Sequence, residues 1–217
     1  MVRETVDWYF DVVSPYVYVQ LDLLDQLASS AVINPKPVLL GALFQHWGSK
    51  APADIAPKRL HIHRHCAWLA KLQNRPYIMP KEKPYVVTLS ALRLLCALGP
   101  TLQQVKLASN FIFAEGGDPG TPEGLVALAR SLGVEDPEPL VASEAAKLKL
   151  RHNTDEAISR GVWGVPTTFV RDRLFWGVDT LPMMIEFLND PARFEAPIFR
   201  PETLSKDSNQ RDPATAP

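Results

Sequence analysis

Strand-forming stretches in this chain stand only near its two ends, with helix-forming ones between, so any sheet must join residues far apart in sequence. At the first end, residues 4–10, ETVDWYF, are rich in β-branched and aromatic residues and stop at Asp11, which predicts a buried strand. Ser14 and Pro15 follow at once. Serine is a good helix N-cap and proline suits the first helical position. Val17, Leu21, Leu24 and Leu27 then recur at helical spacing, so a helix is expected to begin there. KPVLL, 36–40, predicts a second short strand, and Pro35 and Pro37 argue that its start lies at an edge or in a turn. Strand, helix and strand make a βαβ unit.

From Leu43 to about Asp155 the texture is helical. The stretches 58–73, 88–98, 101–114 and 121–132 follow one another with proline or glycine between them, which predicts an all-helical insertion. Strand character returns in TTFV, 167–170, and LFW, 174–176. The polar Arg171-Asp172-Arg173 between them reads as the short loop of a hairpin. A last helix is expected from near Thr180 through Met183, Met184, Phe187 and Leu188. The tail from Pro201 is polar and proline-rich, which predicts disorder.

The 217 residues suffice for one large domain or a domain with an insertion, and 46% hydrophobic content supplies its core. With 23 basic and 24 acidic residues, no overall field favours nucleic acid or an anionic membrane. No apolar run approaches a spanning helix and the first residues lack the layout of a secretory signal, so a cytoplasmic protein is expected. Cys66 and Cys96 are thirty residues apart and neither belongs to a C-x-x-C pair; both read as plain buried thiols.

VSPYVY, 13–18, sits at the strand-to-helix turn where thioredoxin-like disulfide oxidoreductases carry their C-x-x-C. GVWGVPTTFV, 161–170, resembles the segment whose Val-cis-Pro faces that turn. Ser14 stands where a cysteine of that motif would, and no C-x-x-C is present, which removes dithiol chemistry. With Ser14 there, LFWGVDTLPMMIEFL after Val165-Pro166 and NTDEAISRGVWGVPT at 153–167, residues 4–190 resemble the 2-hydroxychromene-2-carboxylate isomerases, a sister family of the kappa-class glutathione transferases. The resemblance implies an α/β, thioredoxin-like fold with an all-helical insertion. Residues 1–42 and 155–200 would form the thioredoxin-like domain, 43–154 the insertion and 201–217 the tail. It also implies glutathione as cofactor, a small aromatic carboxylate as substrate, and a homodimer.

Carried over by position, Ser14 is the residue expected to contact the glutathione sulfur. Val165, ahead of cis Pro166, is expected to pair its backbone with the tripeptide, and Asp179 and Thr180 to stand near its γ-glutamyl end. Lys58 lies near the family's basic position in the insertion. The family usually has Asn after Gly48, where this chain has Ser49, and often an acidic residue near His65. The chemistry suits these residues: a thiol of pKa about 8.5 is mostly protonated at neutral pH, and a helix N-terminus with a donating hydroxyl favours the thiolate. Simpler readings stand beside these. Ser14, Asp179 and Thr180 are also good helix caps, and Lys58 belongs to a charged helix face. His61 and His65 of HIHRH share a helical face, yet a zinc site needs further ligands and H-E-x-x-H is absent, so no metal is expected. Trp47, Trp68 and Trp163 read as core or pocket wall. A kappa-like transferase and a non-catalytic thioredoxin-like binding protein remain alternatives to the isomerase.

Overall fold

The computed structural model describes residues 3–27, 31–80, 87–196 and 199. Strand β1 (Glu4–Phe10) occupies an inner position, between β2 (Ala31–Pro37) on one side and β3 (Thr167–Val170) on the other, with β4 (Arg173–Trp176) beyond. β1 and β2 are parallel; β1–β3 and β3–β4 are antiparallel. Val6, Trp8, Tyr9 and Phe10 are fully buried, as a strand covered on both faces requires. The sheet thus draws two strands from each end of the sequence.

Helix α1 (Pro15–Asp25) opens where expected and buries Val17, Leu21 and Leu24. After β2 come α2 (Leu40–His46), α3 (Ala56–Leu72), α4 (Leu89–Leu98), α5 (Leu102–Phe113), α6 (Pro122–Ser131), α7 (Glu138–Ala142) and α8 (Glu144–Ser159). The boundaries expected at residues 42–43 and 154–155 fall inside α2 and α8. Local sequence sets several starts: at α5, Thr101 accepts from the Gln104 N–H while the Gln104 side chain accepts from the Thr101 N–H, a reciprocal capping box.

The second strand differs from its expected place. It spans Ala31–Pro37, and of KPVLL only the first two residues are strand; Leu39 caps α2 and Leu40 begins it. β2 is an edge strand, so two prolines spaced by two residues turn their missing N–H groups away from β1 and leave the pairing whole.

Buried polar groups tie these elements together. Gln20 on α1 accepts from the Trp8 indole at 2.8 Å and donates to the Gly177 carbonyl at 3.1 Å, joining sheet, helix and the segment after β4. On the other side of β1, Lys36 and Arg160 contact both Asp7 and Glu156.

The chain divides into two compact units, Met1–Asp179 and Thr180–Pro217. The second contains α9 (Leu181–Asn189), which starts near Thr180 as expected, with Thr180 as its N-cap, and a 3-10 turn at Pro191–Glu195. Phe187 and Phe194 pack edge to face within it, with ring centroids 5.4 Å apart. The polar tail read from Pro201 lies outside the described residues. Among the described residues no helix is long and apolar enough to cross a membrane.

Candidate functional site

The turn from β1 into α1 forms the floor of a cavity of about 980 Å³, near the upper end of the range for small-molecule sites. Asp11, at the end of β1, fixes this turn. Its carboxylate is buried and accepts from the Val13 N–H at 3.0 Å, the Leu40 N–H at 3.1 Å and the Thr88 hydroxyl at 2.8 Å, so one side chain joins β1, α2 and the start of α4. Burial pushes its carboxyl up despite the three donors.

Ser14 occupies the N-cap position of α1 in extended backbone, but its hydroxyl makes no capping bond. It lines the cavity while only 7% exposed. A hydroxyl at a helix start that does not serve the helix is available to a ligand, beside the Tyr16 N–H; Pro15 has no N–H, and those of Ser14 and Val17 bond the Asp11 and Ser14 carbonyls. Val165 lines the same cavity, and its peptide bond to Pro166 is cis, the isomer expected. Among the described residues the Val165 N–H and carbonyl have no hydrogen-bond partner.

Ser49 and Lys58 also line the cavity, so four of the seven expected site residues meet there. Buried Pro166 stands beside it, its carbonyl accepting from Gly177 N–H at 2.9 Å. Asp179 is exposed; its carboxylate folds back over Gly177, at φ +93°, and the Tyr16 phenol is raised by burial first and by the nearby charge of Asp179 to a smaller extent. Thr180 belongs to the second unit, at the N-cap of α9, where its side chain makes no capping bond.

Several groups at the cavity were not singled out from sequence. Lys50 and Arg59 add positive charge beside Lys58, against Asp54 and buried Asp11. Tyr16 lines the cavity and its hydroxyl meets His65 Nδ1 at 3.1 Å; the His65 ring stacks on exposed Trp68. Trp163 and Trp176 form a wall, with ring centroids 5.7 Å apart. Gly164 makes that wall possible, because an added Cβ there would sit 2.9 Å from the Trp176 indole nitrogen. Trp47 instead donates to the Val162 carbonyl at 2.9 Å and supports the loop before Trp163. Pattern reading had one usable signal here, the crowding of tryptophans around Gly164, but not which of them face the cavity.

Cys66 and Cys96 are free, and burial pushes both thiols up to about 12, which leaves them poor nucleophiles. The His61 and His65 rings lie 6.1 Å apart; among the described residues no group of three or more His, Cys, Asp or Glu could hold a metal ion.

The sequence profile of the DSBA-like thioredoxin domain matches residues 5–189. A 2-hydroxychromene-2-carboxylate isomerase of Sphingobium xenophagum is 30% identical over 199 residues, covering 86% of this chain and 99% of the relative. Glutathione S-transferase kappa 2 of Caenorhabditis elegans is 28% identical over 217 residues, covering 90% and 96%. A solved 2-hydroxychromene-2-carboxylate isomerase superposes with a TM-score of 0.74 at 25% identity, covering 89% of this chain and 98% of that one. The chain belongs to the DsbA-like thioredoxin family, in the branch that holds the 2-hydroxychromene-2-carboxylate isomerases and the kappa-class glutathione transferases.

Proposed function

We propose that this protein is a glutathione-dependent isomerase that interconverts 2-hydroxychromene-2-carboxylate, or a close analogue, and the open-chain trans-o-hydroxybenzylidenepyruvate in the degradation of aromatic compounds. The observation that carries the reading is the Ser14 hydroxyl, set at a helix N-terminus on the floor of a cavity and unused as a cap. Bound glutathione would supply a thiolate that adds to the conjugated carbon of the substrate and leaves again after rotation about the bond made single.

The chain's own residues fit that group. Ser14 would donate to the sulfur and, with the start of α1, hold it as thiolate. The unpartnered backbone of Val165 would pair with the extended tripeptide as an added strand does. Asp179 would meet its γ-glutamyl end. Ser49 and Lys58, with Lys50 and Arg59, would face the anionic groups of tripeptide and substrate, and the two tryptophans would flank the aromatic ring. Within this reading residues 43–154 are the insertion that supplies the basic wall. A reducing cytoplasm suits two free thiols and a reduced tripeptide. A homodimer would cover Leu60, Trp68 and Leu72, the apolar residues left exposed on α3.

The test is the initial rate of hydroxychromene carboxylate conversion as glutathione is varied. A rate that rises and saturates with glutathione supports the reading. A rate indifferent to glutathione overturns it, and one that also stays at the uncatalysed background favours a non-catalytic binding protein. The kappa 2 relative favours a second reading, a transferase in which the same Ser14 activates the sulfur and the thioether is the product.

A further inference from the structure

The second histidine of HIHRH faces the cavity. His63 lines it, and its Nδ1 lies 2.6 Å from the Tyr77 hydroxyl. Tyr77 is itself held in place: its ring stacks on Phe113 of α5 at 5.8 Å and 11°, and lies beside Tyr18 of α1 at 6.2 Å. The segment that carries it is pinned to α1, since Gln73 donates to the Val19 carbonyl, Arg75 to the Tyr18 carbonyl, and Tyr18 Oη to the Pro76 carbonyl. A cavity-lining imidazole whose one nitrogen is engaged by a fixed phenol presents the other, Nε2, in a set orientation, the arrangement an acid–base residue needs. Among the described residues Nε2 has no partner.

We propose that His63, oriented by Tyr77, is the acid–base residue that moves the proton when the hydroxychromene ring opens or closes. The inference rests on the isomerase reading above. Ring opening needs a proton taken from one oxygen and returned to another. His63 Nε2 accepts the proton of the ring hydroxyl, and that O–H electron pair becomes the new carbonyl bond. The bond from the same carbon to the ring oxygen breaks, its pair going to the aryl oxygen, and the imidazolium returns the proton there. Nothing is oxidised or reduced and no proton is consumed. The step requires the tautomer in which Nδ1–H donates to Tyr77 Oη and Nε2 carries the lone pair. Burial, with the charge of Arg59, lowers the pKa of His63, which keeps the ring neutral and ready to accept. Tyr77 acts through His63 and is a positioning residue.

The experiment compares wild type, His63→Ala, His63→Gln and Tyr77→Phe, all loaded with glutathione. Losing a positioned acid–base group lowers rates about 10²- to 10⁴-fold, so both His63 variants should lose turnover on that scale. They should keep the ultraviolet absorbance of bound thiolate, because Ser14 is untouched. Added imidazole should restore part of the His63→Ala rate and none of the Tyr77→Phe loss. Nitrogen-15 NMR of the glutathione-free protein should show His63 as the Nδ1–H tautomer, with Tyr77→Phe mixing the tautomers. Wild-type turnover in either His63 variant, or a Nε2–H tautomer in the wild type, overturns the proposal. So does a turnover loss matched by loss of the thiolate signal, which would make His63 a glutathione-binding residue. A wild type that turns nothing over with glutathione fails the isomerase reading itself, a result the variants do not produce.

Discussion

In the proposed function Ser14 contributes one hydrogen bond, to the glutathione sulfur. A donor to a charged group contributes about 1.5–3 kcal/mol, while the start of α1 remains after the hydroxyl is gone. Ser14→Ala should therefore lower turnover about ten- to a hundredfold without abolishing it. The lost activity should return in part at higher pH, where the thiol ionises unaided; a pH–rate profile of the variant checks this. Gly164 offers a test of the tryptophan wall. Alanine there meets the Trp176 ring, which is about half exposed and free to swing outward. Gly164→Ala should raise KM for the aromatic substrate several-fold and leave the melting temperature within a few degrees, read by steady-state kinetics and thermal unfolding.

At the scale of elements, the charged cluster of Asp7, Lys36, Glu156 and Arg160 binds α8 to β1 and β2. Burial would raise the two carboxyls. Hydrogen bonds from Asn34 and Arg160 and the charge of Lys36 outweigh it at Asp7, and Lys36, Tyr9 and Arg160 do so at Glu156, so both sit below their ordinary values. A depressed folded-state pKa contributes stability above the unfolded value, about 4, and that stability is lost as pH falls through the folded value. Glu156→Gln should cost about 1–2 kcal/mol at pH 7, between an exposed and a buried pair, and should flatten the acid limb of stability against pH. Chemical denaturation at several pH values reads both. The sequence showed β1, α1, the 167–176 hairpin and most helices because each carries its own periodicity or cap. It placed β2 too late because Pro35 and Pro37 read locally as marking the strand's start; the edge position they suggested is correct, and at an edge both prolines fit inside the strand. It could not pair His63 with Tyr77, since that contact depends on how the segment after α3 folds back onto α1.

For the whole molecule, the strands of both chain ends meet in one sheet, and this brings Val165 to the same cavity as Ser14 although 151 positions separate them. Ser14 and the Val165-Pro166 segment were legible because their motifs are short and contiguous; Lys50 and Arg59, which join Lys58 at the cavity, and the meeting of Trp163 with Trp176 at the end of β4 were not, because they depend on how α3 and the loop before β3 pack, which no local pattern encodes. In the proposed reaction glutathione is a cofactor that leaves as it entered. That claim is tested most directly by supplying one glutathione for about every hundred molecules of hydroxychromene carboxylate and following both by mass spectrometry. Conversion should run to equilibrium, with the isomer at unchanged mass and the glutathione recovered intact. Conversion that stops after one equivalent, with the glutathione held in a stable thioether, would contradict it.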